Sequence, residues 1–312
     1  MQKPFNQVKI FTVCKPEIGS GHLIRSLLIK DALSSMANKI DIYGEFEKVP
    51  NHIKDINNIE FEQLNKFNFS NEDFIVIDTY IKRELFNSID VKKFLIHDAG
   101  VDKPISNVIK IDFNLTSDSS IDKNNNIQGY EYFPIGFDSK PEFKSKENIS
   151  NQISNKVLIS LGGVSDESLV DLKKIADTVY RHNYEVFIAD PSKKLSLRND
   201  LKDYTFIHGK FLSNILNQYK FKFAIMGGGI SKFVTISSGI PCIYIPRNKL
   251  ENIHLNNIEI LNLGFVLDKN KTIEDGMHYI ENNYSIISNT SRQVIDGHGP
   301  KRLENAIMKF LN

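Results

Sequence analysis

The sequence predicts an α/β protein made of two doubly wound, Rossmann-like domains that face a cleft. Three observations lead to this prediction. The chain has 312 residues, and a usual domain size of about 100–200 residues makes two domains the expected number. Short runs rich in Val, Ile and Phe alternate with helical patterns, which is typical of parallel βαβ units. The alternation lapses between Pro134 and Asn155 and then starts again.

This lapse defines the predicted domain organisation. Residues 1–140 form the first domain, residues 141–155 the linker and residues 156–312 the second domain. The linker is rich in Lys, Glu, Asn and Ser, a composition typical of a solvated connection.

In the first domain, we predict five strands and one long helix. The helix spans about His22 to Met36, because Leu and Ile recur there on one face. The run Phe74–Ile77 is apolar at consecutive positions, which is typical of a strand covered on both faces and places it centrally in the sheet. The predicted strands are Val8–Cys14, Ile40–Tyr43, Phe74–Asp78, Phe94–His97 and Val108–Asp112.

The second domain repeats the pattern. Its first strand, Val157–Leu161, is followed by a predicted helix over about Asp166–His182. Apolar residues at helical spacing predict a closing helix over Arg302–Phe310. The further strands are Glu185–Ala189, Phe206–His208, Phe223–Met226 and Cys242–Ile245.

Composition excludes several classes of function. The 39 Lys and Arg residues nearly cancel the 38 Asp and Glu residues, giving a net charge of +1, so we expect no nucleic-acid partner. Cys14 and Cys242 lie within apolar runs and are expected to be buried free thiols. The first ten residues lack a signal-peptide pattern, and no run approaches the roughly 18 apolar residues of a membrane span. We therefore expect a cytoplasmic protein without a membrane span, and the oligomeric state stays open.

Glycine-containing turns follow several predicted strands, at the edge where open α/β sheets bind ligands. Glycine permits close backbone approach, and a helix N-terminus offers unpaired N–H groups to an anion. The alternative is a set of tight turns that need positive φ. Neither a dinucleotide fingerprint nor a Walker loop is present. The turn residues are Gly19, Ser20 and Gly21 in the first domain, and Gly162, Gly163, Gly228, Gly229 and Ser231 in the second.

His22 is the predicted catalytic base. It follows Gly-Ser-Gly at the start of a helix, where the helix dipole disfavours imidazolium. The alternative is a histidine that only packs against its helix. Arg25 is expected either to contact a phosphate or to pair with Glu17. The His and carboxylate residues form no metal-ligand motif, so we expect a reaction without metal or cofactor.

Several of these segments resemble a known family, the PseG-type nucleotide-sugar hydrolases, which remove UDP from an amino-trideoxy sugar in pseudaminic acid synthesis. Glu17–Arg25 is similar to the family's Ile-Gly-x-Gly-His-x-x-Arg element, and Ile77–Tyr80 is similar to its Ile-Asp-x-Tyr element. Leu161–Gly163 resembles its second glycine turn. Ser231–Pro241, together with Glu251–Asn252, resembles the nucleotide-binding half that the family shares with MurG-like glycosyltransferases.

The resemblance implies a GT-B-like architecture with the active site in the interdomain cleft. It implies that His22 and Asn252 are catalytic, with the neutral Asn252 amide orienting a water or a sugar substituent. Where the family has a glutamate that holds the ribose, this chain has Val234, which leaves the nucleotide open. The implied substrate-binding and nucleotide-binding residues are Gly19, Ser20, Gly21, Arg25, Asp78, Tyr80, Gly162, Gly163, Gly228, Gly229, Ser231 and Glu251.

We therefore predict hydrolysis of a nucleoside-diphosphate amino sugar, in which water activated by His22 releases UDP or another nucleoside diphosphate, as in nonulosonic acid or surface-glycan biosynthesis. The substrate is a small molecule. Two alternatives stay open. A glycosyltransferase for cell-surface polysaccharide would use an acceptor hydroxyl in place of water, and a nucleotide-sugar-binding protein would bind without turnover.

Overall fold

The computed structural model describes residues 3–16, 18–47, 49, 53–70, 73–98, 105–115, 125–136, 154–162, 166–190, 195–208, 210 and 212–311. The chain divides into two compact units. Unit 1 comprises Met1–Gly136 and Gly297–Asn312, and unit 2 comprises Phe137–Asp296. The predicted linker, 141–155, lies outside the described residues except for its last two positions.

Unit 1 contains a seven-stranded sheet with the order β3-β2-β1-β4-β5-β6-β7, and all its strand pairs are parallel. The first helix, α1 (Gly21–Ala32), connects the first two strands. The strands are β1 (Phe5–Cys14), β2 (Ala37–Phe46), β3 (Ile56–Asn58), β4 (Phe74–Asp78), β5 (Lys92–Ile96), β6 (Ile109–Asp112) and β7 (Ile127–Gln128).

Unit 2 contains a six-stranded sheet with the order β10-β9-β8-β11-β12-β13, again with parallel pairs only. Its strands are β8 (Lys156–Ser160), β9 (Glu185–Ala189), β10 (Thr205–Ile207), β11 (Phe223–Gly227), β12 (Cys242–Ile245) and β13 (Phe265–Val266). Its helices are α2 (Asp166–Arg181), α3 (Leu212–Gln218), α4 (Ser231–Ser238), α5 (Lys249–Leu255) and α6 (Ile273–Val294). Two doubly wound parallel sheets confirm the predicted fold class.

The central strands of both sheets are buried, β4 in unit 1 and β11 in unit 2. All five residues of β4 are buried, which confirms its predicted central position. In unit 1, one face of the sheet is packed with aromatic rings, and Phe11 of β1 meets Phe86 edge-on with ring centroids 5.2 Å apart. Such edge-to-face contacts add to the burial energy of the rings, so the carboxyl ends of β1 and β4 project from a rigid base.

The differences from the predicted elements have local causes. The strands that were not predicted, β3, β7 and β13, have only two or three residues, too few for a periodic pattern. Helix α6 was also missed, although Thr272 and Asp275 form a capping box at its start, which is a readable signal. Helix α1 ends at Ala32, before the predicted Met36, because a turn leads directly into β2, with the Met36 N–H donating to the Leu33 carbonyl at 2.9 Å.

Both cysteines are buried and free, as expected. Among the described residues, no helix combines the length and the apolar character that crossing a membrane requires.

The last helix, α7 (Gly299–Leu311), belongs to unit 1, whereas the sequence analysis grouped it with the second domain. Unit 1 holds it by direct contacts. Gly136 forms an isolated bridge with His298, and Lys92 of β5 donates to the Phe310 carbonyl at 2.6 Å. A Cβ on Gly299 would lie only 1.9 Å from the Phe133 carbonyl oxygen. The helix is therefore tied to the edge of the first sheet by close backbone approach, which sequence periodicity does not report.

This close approach predicts that Gly299→Ala destabilises unit 1 by about 2 kcal/mol or more, because the backbone must move to admit a methyl group. The measurement is the free energy of unfolding in urea. Gly136→Ala is the matched control, since a Cβ there meets its nearest atom, in the Pro300 ring, at an ordinary 3.5 Å. Equal stability of the two variants would contradict the assignment.

Candidate active site

The carboxyl ends of β1 and β4 mark the point in unit 1 where the strand order reverses. Open α/β sheets bind ligands at such a point, because the connections leave in opposite directions and open a crevice. The residues that follow β1, β4 and β5 bring polar side chains to this edge. They form one cluster, in which His22, Arg25, Asp78 and Asp98 are buried and Tyr80 is half-buried.

The turn before α1 sets the position of His22. Gly19 has φ +82° and its N–H donates to the Lys15 carbonyl at 2.7 Å. Among the described residues, no atom beyond its two chain neighbours lies within 4 Å of a Cβ built on Gly19, so glycine is needed there for its conformation and not for space. Ser20 precedes the first helical residue, Gly21, and His22 follows in the first turn with 7% of its surface exposed.

Asp78 holds the imidazole of His22. Its Oδ1 lies 2.6 Å from Nδ1 of the ring, and the carboxylate is 1% exposed. An ionised carboxylate only accepts hydrogen bonds, so Nδ1 carries the proton and donates it. In the neutral ring, the proton-accepting nitrogen is then Nε2, as in the histidine–aspartate pair of a general base.

Arg25 joins two carboxylates from neighbouring strands. Its Nε and Nη2 donate to Asp78 at 2.9 Å and 2.6 Å. Its Nη1 and Nη2 also donate to Asp98 at 2.9 Å and 2.8 Å. Such two-point contacts fix orientation as well as distance. The two carboxylates occupy the guanidinium of Arg25. Glu17 lies outside the described residues, and the predicted phosphate contact of Arg25 stays a prediction.

Tyr80 closes the cluster on another side. Its hydroxyl donates to Asp98 Oδ2 at 2.8 Å, and its ring meets the His22 ring edge-on with centroids 4.3 Å apart. Asp98 lies just after β5. The structure makes it the partner of both Arg25 and Tyr80.

Charge stabilises the ionised state of the cluster. Burial opposes ionisation of Asp78, but Arg25 and His22 outweigh it, and the pKa of Asp78 is lowered. Burial likewise disfavours the Arg25 cation, yet Asp78 and Asp98 raise its pKa well above the ordinary value. Burial and the nearby Asp98 carboxylate raise the pKa of Tyr80, so its hydroxyl stays protonated and donates. Asp78 is thus a buried group that positions His22 and Arg25, and its predicted role in substrate binding stays a prediction.

Three groups of the cluster have the spacing of metal ligands. Within the described parts of the chain, His22, Asp78 and Asp98 are the set of His, Cys, Asp and Glu residues close enough to share an ion. The Arg25 guanidinium already bonds to both carboxylates. A metal ion would have to displace this cation or lie against it, so the donor set suits the guanidinium and does not fit a metal.

In unit 2, the corresponding reversal of strand order lies between β8 and β11, and the predicted glycine turns follow these strands. Gly162 has φ +81°. A Cβ on Gly228 would lie 2.8 Å from Glu251 Cβ, so no side chain fits there. Gly163 lies outside the described residues.

Glu251 supports this glycine turn through hydrogen bonds, and its predicted role in binding stays a prediction. It is 6% exposed and accepts the backbone N–H groups of Gly228 and Arg247 at 3.1 Å and 3.0 Å. It also pairs with the Arg247 guanidinium. Burial opposes its ionisation, but Arg247 and these backbone donors lower the pKa of Glu251.

Arg247 was missed in the sequence, although it comes two positions after a buried strand, β12, and four residues before its partner Glu251. Its guanidinium lies beside both glycine turns. A Cβ on Gly162 would lie 3.1 Å from Nη1, and a Cβ on Gly227 would lie 3.2 Å from Nε. The structure therefore adds a cationic side chain to the sheet edge where backbone N–H groups alone were expected.

The remaining predicted residues of unit 2 lie on two helices. Ser231 is the first residue of α4 and is half-buried, as is Val234 one turn further on. Asn252 is exposed on α5. Their predicted roles stay predictions.

Comparisons with known proteins identify the architecture. No protein-family model matches the chain, and no curated protein matches it. Among solved structures, the chain is similar to the spinosyn forosaminyltransferase SpnP, with TM-score 0.63 and 11% identity over 98% of this chain and 99% of that one. It is similar to the spinosyn rhamnosyltransferase SpnG complexed with thymidine diphosphate, with TM-score 0.62 and 11% identity over 99% and 100% of the two chains. The glycosyltransferase SnogD from Streptomyces nogalater matches with TM-score 0.62 and 9% identity over 98% and 99%.

These similarities show a GT-B glycosyltransferase fold. They agree with the MurG-like part of the sequence resemblance. All three of these proteins are named as transferases. What this chain shares with them is the fold.

The lowered pKa of Asp78 predicts a pH-dependent effect of Asp78→Asn on stability. Because the folded-state pKa lies below the unfolded value, ionised Asp78 stabilises the fold above that value, and the contribution is lost as pH falls through the folded pKa. We expect the variant to be about 3 kcal/mol less stable near neutral pH, where Arg25 loses a buried partner. The difference from the unmodified protein should shrink as the pH falls below about 4.

Urea unfolding of both proteins at several pH values measures this difference. Asp200→Asn is the control, because Asp200 pairs with Arg198 at the surface and its loss should change stability little. A difference for Asp78→Asn that stays constant down to about pH 3 would contradict the ionised buried pair.

Proposed function

We propose that the protein is a glycosyltransferase that moves a sugar from a nucleoside diphosphate to an acceptor hydroxyl, with His22 as the general base. The observation that carries the proposal is the buried contact of 2.6 Å between His22 Nδ1 and Asp78. It lies at the strand-order reversal of a fold that the chain shares with glycosyltransferases.

In the proposed reaction, the acceptor O–H gives its proton to His22 Nε2 as its oxygen attacks the anomeric carbon. The bond between that carbon and the diphosphate oxygen breaks, and the electron pair leaves with the nucleoside diphosphate. Asp78 stabilises the imidazolium that forms and keeps its own negative charge. Tyr80 fixes the ring plane of His22 through its edge-on contact.

The edge of the second sheet is the proposed site for the leaving diphosphate. Arg247 and the half-buried Gly229 and Ser231 surround the turn that begins α4, and helix N-termini and guanidinium groups favour phosphate oxygens. One similar structure contains thymidine diphosphate, whereas the sequence resemblance implies UDP. Both nucleotides are therefore tested as donors, and Asn252 remains a proposed contact to the sugar.

The experiment is to measure nucleotide release from UDP-activated and TDP-activated amino sugars, with and without a panel of sugar and phenol acceptors. Transfer predicts that release depends on an acceptor and that a glycoside forms. Release at the same rate without any acceptor would identify a hydrolase, and donor binding without release would identify a binding protein. Either result would overturn the proposal.

His22→Ala is expected to lower acceptor-dependent turnover by about 100-fold to 10,000-fold, the usual contribution of a general base. His278→Ala, at an exposed position of α6, is the matched control and should leave turnover unchanged. Turnover in His22→Ala close to that of His278→Ala would remove the base from the mechanism.

A further inference from the structure

Arg25 contacts the pair formed by His22 and Asp78, and Asp98 in turn contacts Arg25. A general base requires only the His22–Asp78 pair. Arg25 contacts the ring as well as its partner, because Nη2 lies 3.2 Å from His22 Nδ1 and 2.6 Å from Asp78 Oδ1. One polar atom each of His22, Asp78 and Asp98 lies within 4.8 Å of the others. All four residues are at most 8% exposed.

A proton on His22 neutralises this cluster. With a neutral imidazole, two carboxylates and one guanidinium leave one net negative charge, and an imidazolium cancels it. Burial leaves these interactions weakly screened. Without Arg25, the same site would carry two net negative charges beside the neutral ring, and the ring would keep a proton to higher pH.

We propose that Arg25 is a positioning residue that clamps Asp78 against the His22 ring and opposes protonation of that ring, and that Asp98 is the counter-charge that holds Arg25 there. The proposal deepens the proposed function, since an unprotonated His22 is what a general base requires. Arg25 and Asp98 then have opposite electrostatic effects on His22, since the arginine disfavours a proton on the ring and the aspartate favours one. Neither residue needs to contact the substrate.

The charged and titratable groups that face His22 come from several elements. Arg25 lies on α1, Asp78 and Tyr80 at the end of β4 and in the following turn, and Asp98 just beyond β5. Further out are Arg83, Asp112 and His97. The Arg83 guanidinium is 5.6 Å from the centre of the Tyr80 ring, and Asp112 interacts with the charges of His97 and Asp98.

Other features of the structure support the clamp. The two carboxylates keep the pKa of Arg25 well above its ordinary value despite the opposing effect of burial, so its charge is constant over the working range of pH. Tyr80 donates to Asp98, which leaves Asp98 an ionised acceptor. Ser26 adds a donor to Asp78 Oδ2 at 3.4 Å.

The experiment follows the ring signals of His22 by NMR in histidine-labelled protein, with His22→Gln to assign them, and requires no turnover. In Arg25→Met, the titration midpoint of His22 is expected to move to higher pH by roughly one unit or more. In Asp98→Asn, which keeps the side-chain volume, it is expected to move to lower pH. Arg25→Lys keeps the positive charge, so its His22 midpoint should lie much closer to that of the unmodified protein than to that of Arg25→Met.

The same variants are then assayed for transfer across pH. The acid limb of kcat/KM should move with each midpoint, because it reports the base in the free enzyme. Disrupted packing would lower activity at every pH without moving the limb. Midpoints that move the same way in Arg25→Met and Asp98→Asn, or that do not move, would overturn the clamp. The His22 midpoint could move to higher pH in Arg25→Met and to lower pH in Asp98→Asn although the protein shows no transferase activity. That result would support the proposed role of Arg25 and overturn only the proposed function.

Discussion

A buried carboxylate placed between a histidine and an arginine sets the geometry of the candidate active site. Asp78 ends the central strand β4. Its two carboxylate oxygens accept hydrogen bonds from His22 and Arg25, which lie in the first turns of α1. An unpaired carboxylate at 1% exposure would be too costly to keep ionised. The fold therefore requires both partners, and the same requirement orients the imidazole. Stability and the proposed chemistry thus depend on one set of contacts.

The two units use the sheet edge in different ways. In unit 1, side chains that follow three neighbouring strands of the sheet, β1, β4 and β5, converge on one another and leave little exposed charge. In unit 2, the buried Glu251 holds a glycine turn in place, because it accepts the Gly228 N–H and pairs with the Arg247 guanidinium. The first arrangement suits proton transfer, and the second suits the binding of an anion. The near-zero net charge of the chain is consistent with recognition by such local groups.

Much of the fold was predictable from the sequence, because long buried strands such as β4 and β11 are continuous apolar runs with glycine or polar residues at their ends. The placement of α7 was not, since it depends on the approach of Gly299 to the Phe133 carbonyl. At the site, the motif around His22 and the strand-end Asp78 were found, but their pairing was not, because residues 56 positions apart in the chain carry no local signal of contact. The contact of Asp98 with Arg25, 73 positions away, was not predictable for the same reason, whereas Arg247 was missed although its partner Glu251 is only four residues away.

The central claim is that Asp78 fixes the His22 tautomer with its proton on Nδ1. The most direct measurement is ¹⁵N NMR of the labelled histidine rings near neutral pH, which distinguishes a protonated Nδ1 from a protonated Nε2. If Asp78 fixes this tautomer, the spectrum shows a neutral His22 ring with a hydrogen-bonded, slowly exchanging proton on Nδ1. That signal is lost in Asp78→Asn. A neutral ring with its proton on Nε2 would contradict the account.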